Sequence, residues 1–295
     1  MHWLSATSRL SSIPVFARAN FYKSAEEIRL MVEPGLATAA ALDAARATIA
    51  VGATTLEVDA AAERAIVMHG GSSNFKLVPG YRHTVCASVN DEVVHGIPTA
   101  RALAAGDIVS IDAGAILGGW NGDAAITVVL PDASRPELVA ERQTLSAVTR
   151  GSLWAGIARL ASAKHLNELG DAIEGYIEDE GSRLGHEFGI LTEYVGHGIG
   201  RSMHEDPPVF NFRVKGKGPD VKPGLVVAIE PMVTWGSPET KVLDDGWTVS
   251  TVDGLSACHW EHTVAVHKDG IWVTTAADGG AAELADWGVT PVRPA

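Results

Sequence analysis

Four carboxylates sit where a folded chain can least easily keep them. Asp112 lies in IVSIDAGAIL, Asp123 in NGDAAITVVL, Glu230 in LVVAIEPMV and Glu261 in CHWEHTVAV. Each run is rich in the apolar and β-branched residues that favour strands. An ionised carboxylate buried without a partner is rare, because leaving water penalises its charge. Asp112 and Asp123 taken alone read equally as two solvated surface residues. One acid could follow from strand alternation, its side chain simply turned outward. Four in strand contexts, with His197 in a glycine-rich turn, point to a shared site.

IVSIDAGAIL and AAITVVL read as the two strands of a hairpin around Gly118-Gly119, with the turn near Leu117-Gly118. That places Asp112 and Asp123 opposite each other on one face. Unpaired carboxylates at that range repel unless a cation lies between them. The four acids supply four negative charges, and two divalent cations would balance them. Carboxylate-rich ligation with one imidazole suits Mn, Fe or Co better than structural zinc, which prefers thiolates and histidines. Two ions about 3.5 Å apart could bridge and activate a water for hydrolysis.

The stretch YVGHGIGRSMHEDPPV carries His197 and His204. Gly196, Gly198, Gly200 and Pro207-Pro208 argue against a helix. One unbroken strand would send the two imidazoles to opposite faces. If both face one site, the chain turns between them, as the glycines permit. Read alone, the residues leave metal ligation, a phosphate cradle or neither open. GHGIG lacks both GxGxxG and the Lys-Ser/Thr of a phosphate loop, and no HExxH or GxSxG is present. His83, His165, His186, His259 and His267 read as surface or packing residues.

The rest of the chain suits one α+β domain. Its 295 residues are 46% hydrophobic, enough for a sizeable core, and the net charge of −13 argues against general nucleic-acid binding. Cys86 and Cys258 show no CxxC spacing and fit a reducing cytoplasm. No apolar run reaches transmembrane length. MHWLSATSRLSSIPVFARA ends in Ala-x-Ala, but Ser, Arg9 and Pro14 break its apolar stretch, so it reads as a leader into the fold. Ser24 with Glu27 forms a capping box opening a helix at 25, which Pro34-Gly35 should split before the run 36–50. Thr54 with Glu57 opens a second helix, to about Met68. Residues 85–97 look extended, and helices follow over 136–161 and 166–180. ILTEYVG, LVVAIEPMVTW, WTVSTV, HTVAVHK and IWVTT read as strands, with a loose tail from about 277.

On VNDEVVHGIP (89–98), IDAGAILGGWNGDAA (111–125), GHGIGRSMHEDPPV (196–209), AIEPMV (228–233), DGWTV (245–249) and SACHWEHTVAV (256–266), the chain resembles the type I methionine aminopeptidases of metallopeptidase family M24. The segments keep the family's order and near-family spacing, and the likeness covers roughly residues 24–275. It implies the pita-bread fold, a pseudo-twofold antiparallel sheet covered by helices. It implies a catalytic domain, assigned to 24–276; the leader over 1–23 and the tail over 277–295 have no counterpart in the family. It implies two divalent ions (Co, Mn, Fe, Zn or Ni) held by Asp112, Asp123, His197, Glu230 and Glu261. Asp123 and Glu261 would bridge the ions, Asp112 would complete one shell, and His197 with Glu230 the other. Glu230 would be the general base, His204 would contact the substrate carbonyl, and His95 the scissile amide nitrogen. Phe75, Tyr81, Cys86, Met203 and Trp247 match the walls of the methionine pocket. Phe75 and Val78 stand where some members carry cysteine and tyrosine, and Met203 where phenylalanine is common, so the pocket's shape departs from part of the family.

The implied activity is removal of the initiator methionine from nascent polypeptides when the second residue is small. The implied setting is a cytoplasmic monomer without membrane or DNA partners. FRVKGKGPDVK (212–222), with Arg213, Lys215, Lys217 and Lys222, is either a solvated loop or a contact with ribosomal RNA. The alternatives are a proline-specific peptidase of the same fold and a catalytically dead pita-bread binding protein. The first usually carries an extra N-terminal domain, for which a first ligand at Asp112 leaves no room. A type II enzyme would carry a long insertion between His204 and Glu230, where only 25 residues intervene. The dead relatives lose ligands, and all five are present.

Overall fold

The computed structural model describes residues 21–295. The expected leader falls largely on 1–20, outside the described residues. Within the described part the chain runs through one plan twice: a helix pair, then strands. Helices Val32–Thr48 and Thr55–Met68 precede one long hairpin, and helices Pro136–Leu160 and Glu168–Leu184 precede the strands that complete the sheet.

The hairpin is Ile108–Leu117 against Trp120–Val129, with Leu117 paired to Trp120. Gly118 and Gly119 form its two-residue turn, with φ of 60° and 76°. A two-residue primed turn needs positive φ at both places, which only glycine takes freely. Nine strands form one antiparallel sheet. Its path runs Ser72–Ser73, Ile108–Leu117, Trp120–Val129, Glu261–His267, Val226–Ile229, Gly196–Gly198, Glu205–Val209. Val85–Val89 pairs beside Ile108–Leu117, and Gly270–Val273 beside Glu261–His267. Two three-stranded sheets flank it. The helices cover one face, where Ile111, Ala113, Leu145, Leu153, Val227 and Val264 share the main core. This is the curled antiparallel sheet and helical cover expected of the pita-bread fold.

Both capping boxes form, at Ser24–Glu27 and Thr54–Glu57. The helix break lies one turn earlier than expected, at Met31 between helices Ala25–Leu30 and Val32–Thr48. Proline is still the cause. Pro34 cannot donate to the carbonyl of residue 30, four positions back, and its ring crowds that carbonyl. Pro34 itself sits in the first turn of the second helix, where a missing N–H costs nothing.

Three strand expectations shorten. ILTEYVG keeps only its two end residues in strands, Ile190 in Gly189–Ile190 and Gly196 in Gly196–Gly198, and LVVAIEPMVTW breaks at Glu230-Pro231 into Val226–Ile229 and Met232–Thr234. WTVSTV keeps Val249–Thr251. The segment after 277 is held rather than loose. Leu284 is buried in the main core, Val292 N–H donates to Ile271 O at 2.9 Å, and the Val292 carbonyl lies 2.7 Å from His267 Nε2.

Alternation along Ile108–Leu117 sends Ile111 into the core and Asp112 to the other face. Ile111→Ala should therefore destabilise the protein by about 2–5 kcal/mol, and Ile111→Val by about 0.5–1.5 kcal/mol, in denaturant unfolding. A loss below about 0.5 kcal/mol for the alanine variant would mean that Ile111 is not a core residue.

Candidate metal centre

The sheet's register gathers the acids. Asp112 pairs with Ala125 in the hairpin, and Glu261 pairs with the same Ala125 on the next strand. Residues across a rung share a face. Asp123 lies two residues from Ala125, so it shares that face as well. It pairs with Gly114, which puts it diagonal to Asp112 rather than opposite as expected, because the turn is centred on Gly118-Gly119. On the other side His262 pairs with Ile229, and Thr263 with Ala228, which also pairs with His197. Glu230 follows Ile229 directly. Four side chains on four strands, with Glu230 at the end of a fifth, thus meet at one site.

Close backbone approach explains the glycines around His197. A Cβ on Gly196 would stand 2.4 Å from Ala228 O, and one on Gly198 only 2.1 Å from Asp206 O. The flanking strands can close on His197 only because these side chains are missing. Thr263 Oγ1 ties down Asp123 twice, accepting from its N–H at 3.2 Å and donating to its carbonyl at 2.7 Å. Asn211 Nδ2 donates to the Glu230 carbonyl at 3.1 Å, holding the bend before Pro231.

Ligand atoms of Asp123, His197 and Glu261 all lie within 4.8 Å of one another. His197 Nε2 is 3.5 Å from Glu230 Oε1 and 3.9 Å from Asp123 Oδ2. Its Nδ1 lies 3.0 Å from the Gly198 carbonyl. That contact places the ring proton on Nδ1 and leaves the Nε2 lone pair facing the carboxylates, as a metal ligand requires. Asp112 Oδ1, Asp123 Oδ1 and Glu261 Oε1 are buried without a hydrogen-bond partner. Burial pushes all four carboxylates well up from their usual range, and their neighbours' charges push Asp123, Glu230 and Glu261 further. Unpartnered oxygens that repel one another, with a neutral imidazole between them, fit one or more divalent cations.

A cavity of about 450 Å³ opens over these residues. His95 and His204 line it. His95 is 8% exposed, holds φ of 60°, and meets the edge of Tyr194 with ring centroids 5.5 Å apart. A non-glycine residue held at positive φ is strained, and such strain collects at functional sites. His204 reaches solvent at the mouth, with its ring 4.3 Å from that of His197. Burial lowers His95 and His197 to about 3, helped by neighbouring histidines, and surrounding protein lowers His204 to about 4. All three are neutral near pH 7. The bend between His197 and His204 turns both to one cavity.

Phe75, Tyr81, Cys86 and Met203 form a separate buried cluster, with Val78, Ile97 and Trp247 half-buried against it. Tyr81 meets Phe75 and Trp247 edge-on at 6.4 and 5.2 Å between centroids. Cys86 pairs with Asp112 across the strands, so the cluster adjoins the carboxylates.

One residue read as packing belongs here: His259 lines the cavity, 2% exposed, with Nε2 3.9 Å from Glu230 Oε2. Its position two residues before Glu261 in a strand context was the available signal, since alternate residues share a face. Val94, Tyr194 and Met232 also line the cavity, and no residue pattern singled them out. The other four histidines pack as expected. His83 lies by Asp59, His165 by Asp220, His186 stacks on Trp235, and His267 meets Val292 O.

Residues 29–268 match the profile of metallopeptidase family M24. Methionine aminopeptidase 1 of Mycobacterium tuberculosis is 48% identical over 254 residues, spanning 86% of this chain and 94% of that protein. The crystal structure of a methionine aminopeptidase from Thermotoga maritima superposes with a TM-score of 0.78 at 35% identity, over 86% of this chain and 98% of that one. A Pyrococcus furiosus prolidase shares the fold at a TM-score of 0.64 and 21% identity, and this chain covers 66% of it. The register, the buried acids and these likenesses agree: the chain belongs to metallopeptidase family M24, among its methionine aminopeptidases.

Proposed function

We propose that the protein removes the N-terminal methionine of newly made polypeptides by hydrolysing their first peptide bond. The observation that carries this is the set of three partnerless carboxylate oxygens gathered with His197 beside an apolar, sulfur-lined pocket. Asp112, Asp123, His197, Glu230 and Glu261 would hold two divalent ions. The unassigned metal (Co, Mn, Fe, Zn or Ni) would lower the pKa of a bound water toward neutrality. Glu230 takes the water's proton. His204, neutral at the mouth, donates to the substrate carbonyl oxygen as charge gathers there. His95 holds the scissile amide nitrogen. Phe75, Tyr81, Cys86, Met203 and Trp247 receive the methionine side chain, whose thioether suits aromatic and sulfur-bearing walls.

Catalysis is assigned to residues 24–276, between a leader over 1–23 and a tail over 277–295, in a cytoplasmic monomer. Cys86 and Cys258, free and buried, support a reducing compartment. Among the described residues no helix is long and apolar enough to cross a membrane. A ribosomal contact through 212–222 would rest on Lys215 and Lys217. Arg213 is tied to Glu178 at 2.7 Å, and Lys222 lies 4.2 Å from the Tyr22 ring centre. The proline-specific alternative is not favoured, because the prolidase likeness reaches only the fold. The inactive-binder alternative is not favoured by an intact ligand set.

A Met-Xaa peptide series tests the activity. Turnover should fall steeply from Xaa Gly or Ala to Leu or Arg. Equal rates across the series would remove the size rule, and release of Leu or Pro in place of Met would remove the assignment.

The two histidines of the glycine-rich bend should separate. His197→Ala should lose metal affinity and activity together, whereas His204→Ala should keep metal and fold yet lose about 10²–10³ in kcat. Calorimetric metal titration beside steady-state kinetics checks this. Equal metal loss in both variants would make His204 a ligand.

Protons and metal compete for the same oxygens. The carboxylates' folded pKa values lie above their unfolded values near 4, so their contribution is full below about pH 4 and is withdrawn as pH rises through the folded values. The histidines shift the other way, and their contribution is fully present above about pH 6.5. Asp112, raised to about 8, therefore loses its contribution between about pH 7 and 8.5, above the range in which the histidines act. The melting temperature of chelator-treated protein should fall across that window, and the gap to metal-loaded protein should widen. A constant gap would show that the acids are not held against one another.

A further inference from the structure

His259 has no part in the chemistry above, yet it faces that chemistry. Its backbone is pinned on both sides. The N–H donates to Ser110 Oγ at 3.2 Å, and the carbonyl accepts from Thr127 Oγ1 at 2.7 Å. Residues 257–259 pair with 232–234, which sets His259 opposite Met232. The side chain is buried against the cavity, and Nε2 has no hydrogen-bond partner. Packing histidines in this protein use their ring nitrogens on carbonyls: His186 Nε2 lies 2.8 Å from Trp235 O, and His267 Nε2 2.7 Å from Val292 O. A buried ring nitrogen left bare is costly unless something arrives to meet it.

The group at hand is Glu230. Its Oε2 lies 3.9 Å from His259 Nε2, while its Oε1 lies 3.5 Å from His197 Nε2. The carboxylate is thus bracketed by two imidazoles that differ in kind. His197 turns a lone pair inward, because its Nδ1 is engaged by Gly198 O. His259 shows no such engagement of a ring nitrogen by a carbonyl, and its Nε2 is free to carry the proton as a donor. Closing the gap by about one ångström would give an ordinary N–H···O bond.

We propose that His259 is a positioning residue for Glu230: its Nε2–H holds Oε2, fixes the rotation of the carboxylate, and leaves Oε1 to take the proton from the attacking water. This rests on the reading of Glu230 as the base. A base whose second oxygen is fixed presents the first at one angle, which saves the search for that angle in each turnover.

The test uses the full chain with Mn²⁺. His259→Gln keeps an N–H donor at comparable reach, and His259→Met keeps bulk without a donor. Steady-state kinetics on a Met-Ala peptide are read beside Mn²⁺ calorimetry on chelator-stripped protein. His259→Met should lose about 10–100-fold in kcat, the usual effect of removing a group that orients a metal-site residue. KM should stay within about twofold and the Mn²⁺ stoichiometry should be unchanged, as expected when only the reacting geometry suffers. His259→Gln should recover most of the lost rate. A glutamine variant as slow as the methionine variant would overturn the donor role, and so would a methionine variant as fast as wild type. Loss of one Mn²⁺ equivalent in both would make His259 a ligand instead. If His259→Met does not fold, His259→Asn replaces it, carrying the same amide on a shorter stem. Asparagine slow with glutamine fast supports the proposal, and equal rates overturn it. If wild type itself left the Met-Ala peptide uncut, the peptidase reading would fall and this inference with it. An active wild type with unaffected variants would sink the inference alone.

Discussion

Repulsion among Asp112, Asp123, Glu230 and Glu261 is the constraint on which the rest of the structure depends. Three of their oxygens are buried with no hydrogen bond to share the charge. Neutral carboxylic acids could coexist there, but ionised ones could not without a cation. Such a cluster lowers fold stability unless a cation fills it, and the sheet must resist the tendency of these acids to separate. It does so through rungs. Asp112 and Glu261 both pair with Ala125, so moving either apart means breaking the ladder that also builds the core. A one-residue slip would send the acids into the helical layer and Ile111 into the cavity.

The backbone around the acids is built for that resistance. Gly196 and Gly198 let three strands close on His197. Thr263 bonds both backbone groups of Asp123, and Asn211 holds the Glu230 carbonyl. These contacts reach the main chain of the acids rather than their side chains, so the carboxylate oxygens stay open to the cavity. The imidazoles follow the same division. His197 is fixed by the carbonyl of its own neighbour and turns Nε2 inward. His95 is fixed by a strained backbone and by Tyr194.

How much of this was legible depends on the range over which each signal acts. Acids in apolar strand runs, the two capping boxes and the Gly118-Gly119 turn are local patterns, and each formed. The helix break was traceable to Pro34, but its position was displaced because proline acts on the carbonyl four residues back. The diagonal offset of Asp112 and Asp123 hung on one residue of turn position, which composition does not fix. Tyr194 and Met232 reach the cavity through folding that no local pattern encodes. His259 was within reach of strand alternation, but a lone histidine among apolar residues is read most simply as packing. The buried end of the chain at Leu284 was missed because a short helix with one apolar anchor resembles a tail.

A Pyrococcus furiosus prolidase shares this fold. The proposed methionine pocket draws most of its walls from outside the ladder, Cys86 on strand Val85–Val89 being the one within it. Phe75 stands in the short helical turn Phe75–Leu77, and Tyr81 and Trp247 stand in loops. Such segments can change without disturbing the register that holds the acids. Met203 is the exception. It lies in the bend between the two histidines, buried in the wall cluster, and its neighbour His204 lines the cavity. An unbranched, polarisable side chain fits there because it can repack against Tyr81 and Trp247 without twisting that bend. Shape of the wall cluster and aim of His204, the proposed oxyanion donor, are thus coupled through one peptide unit.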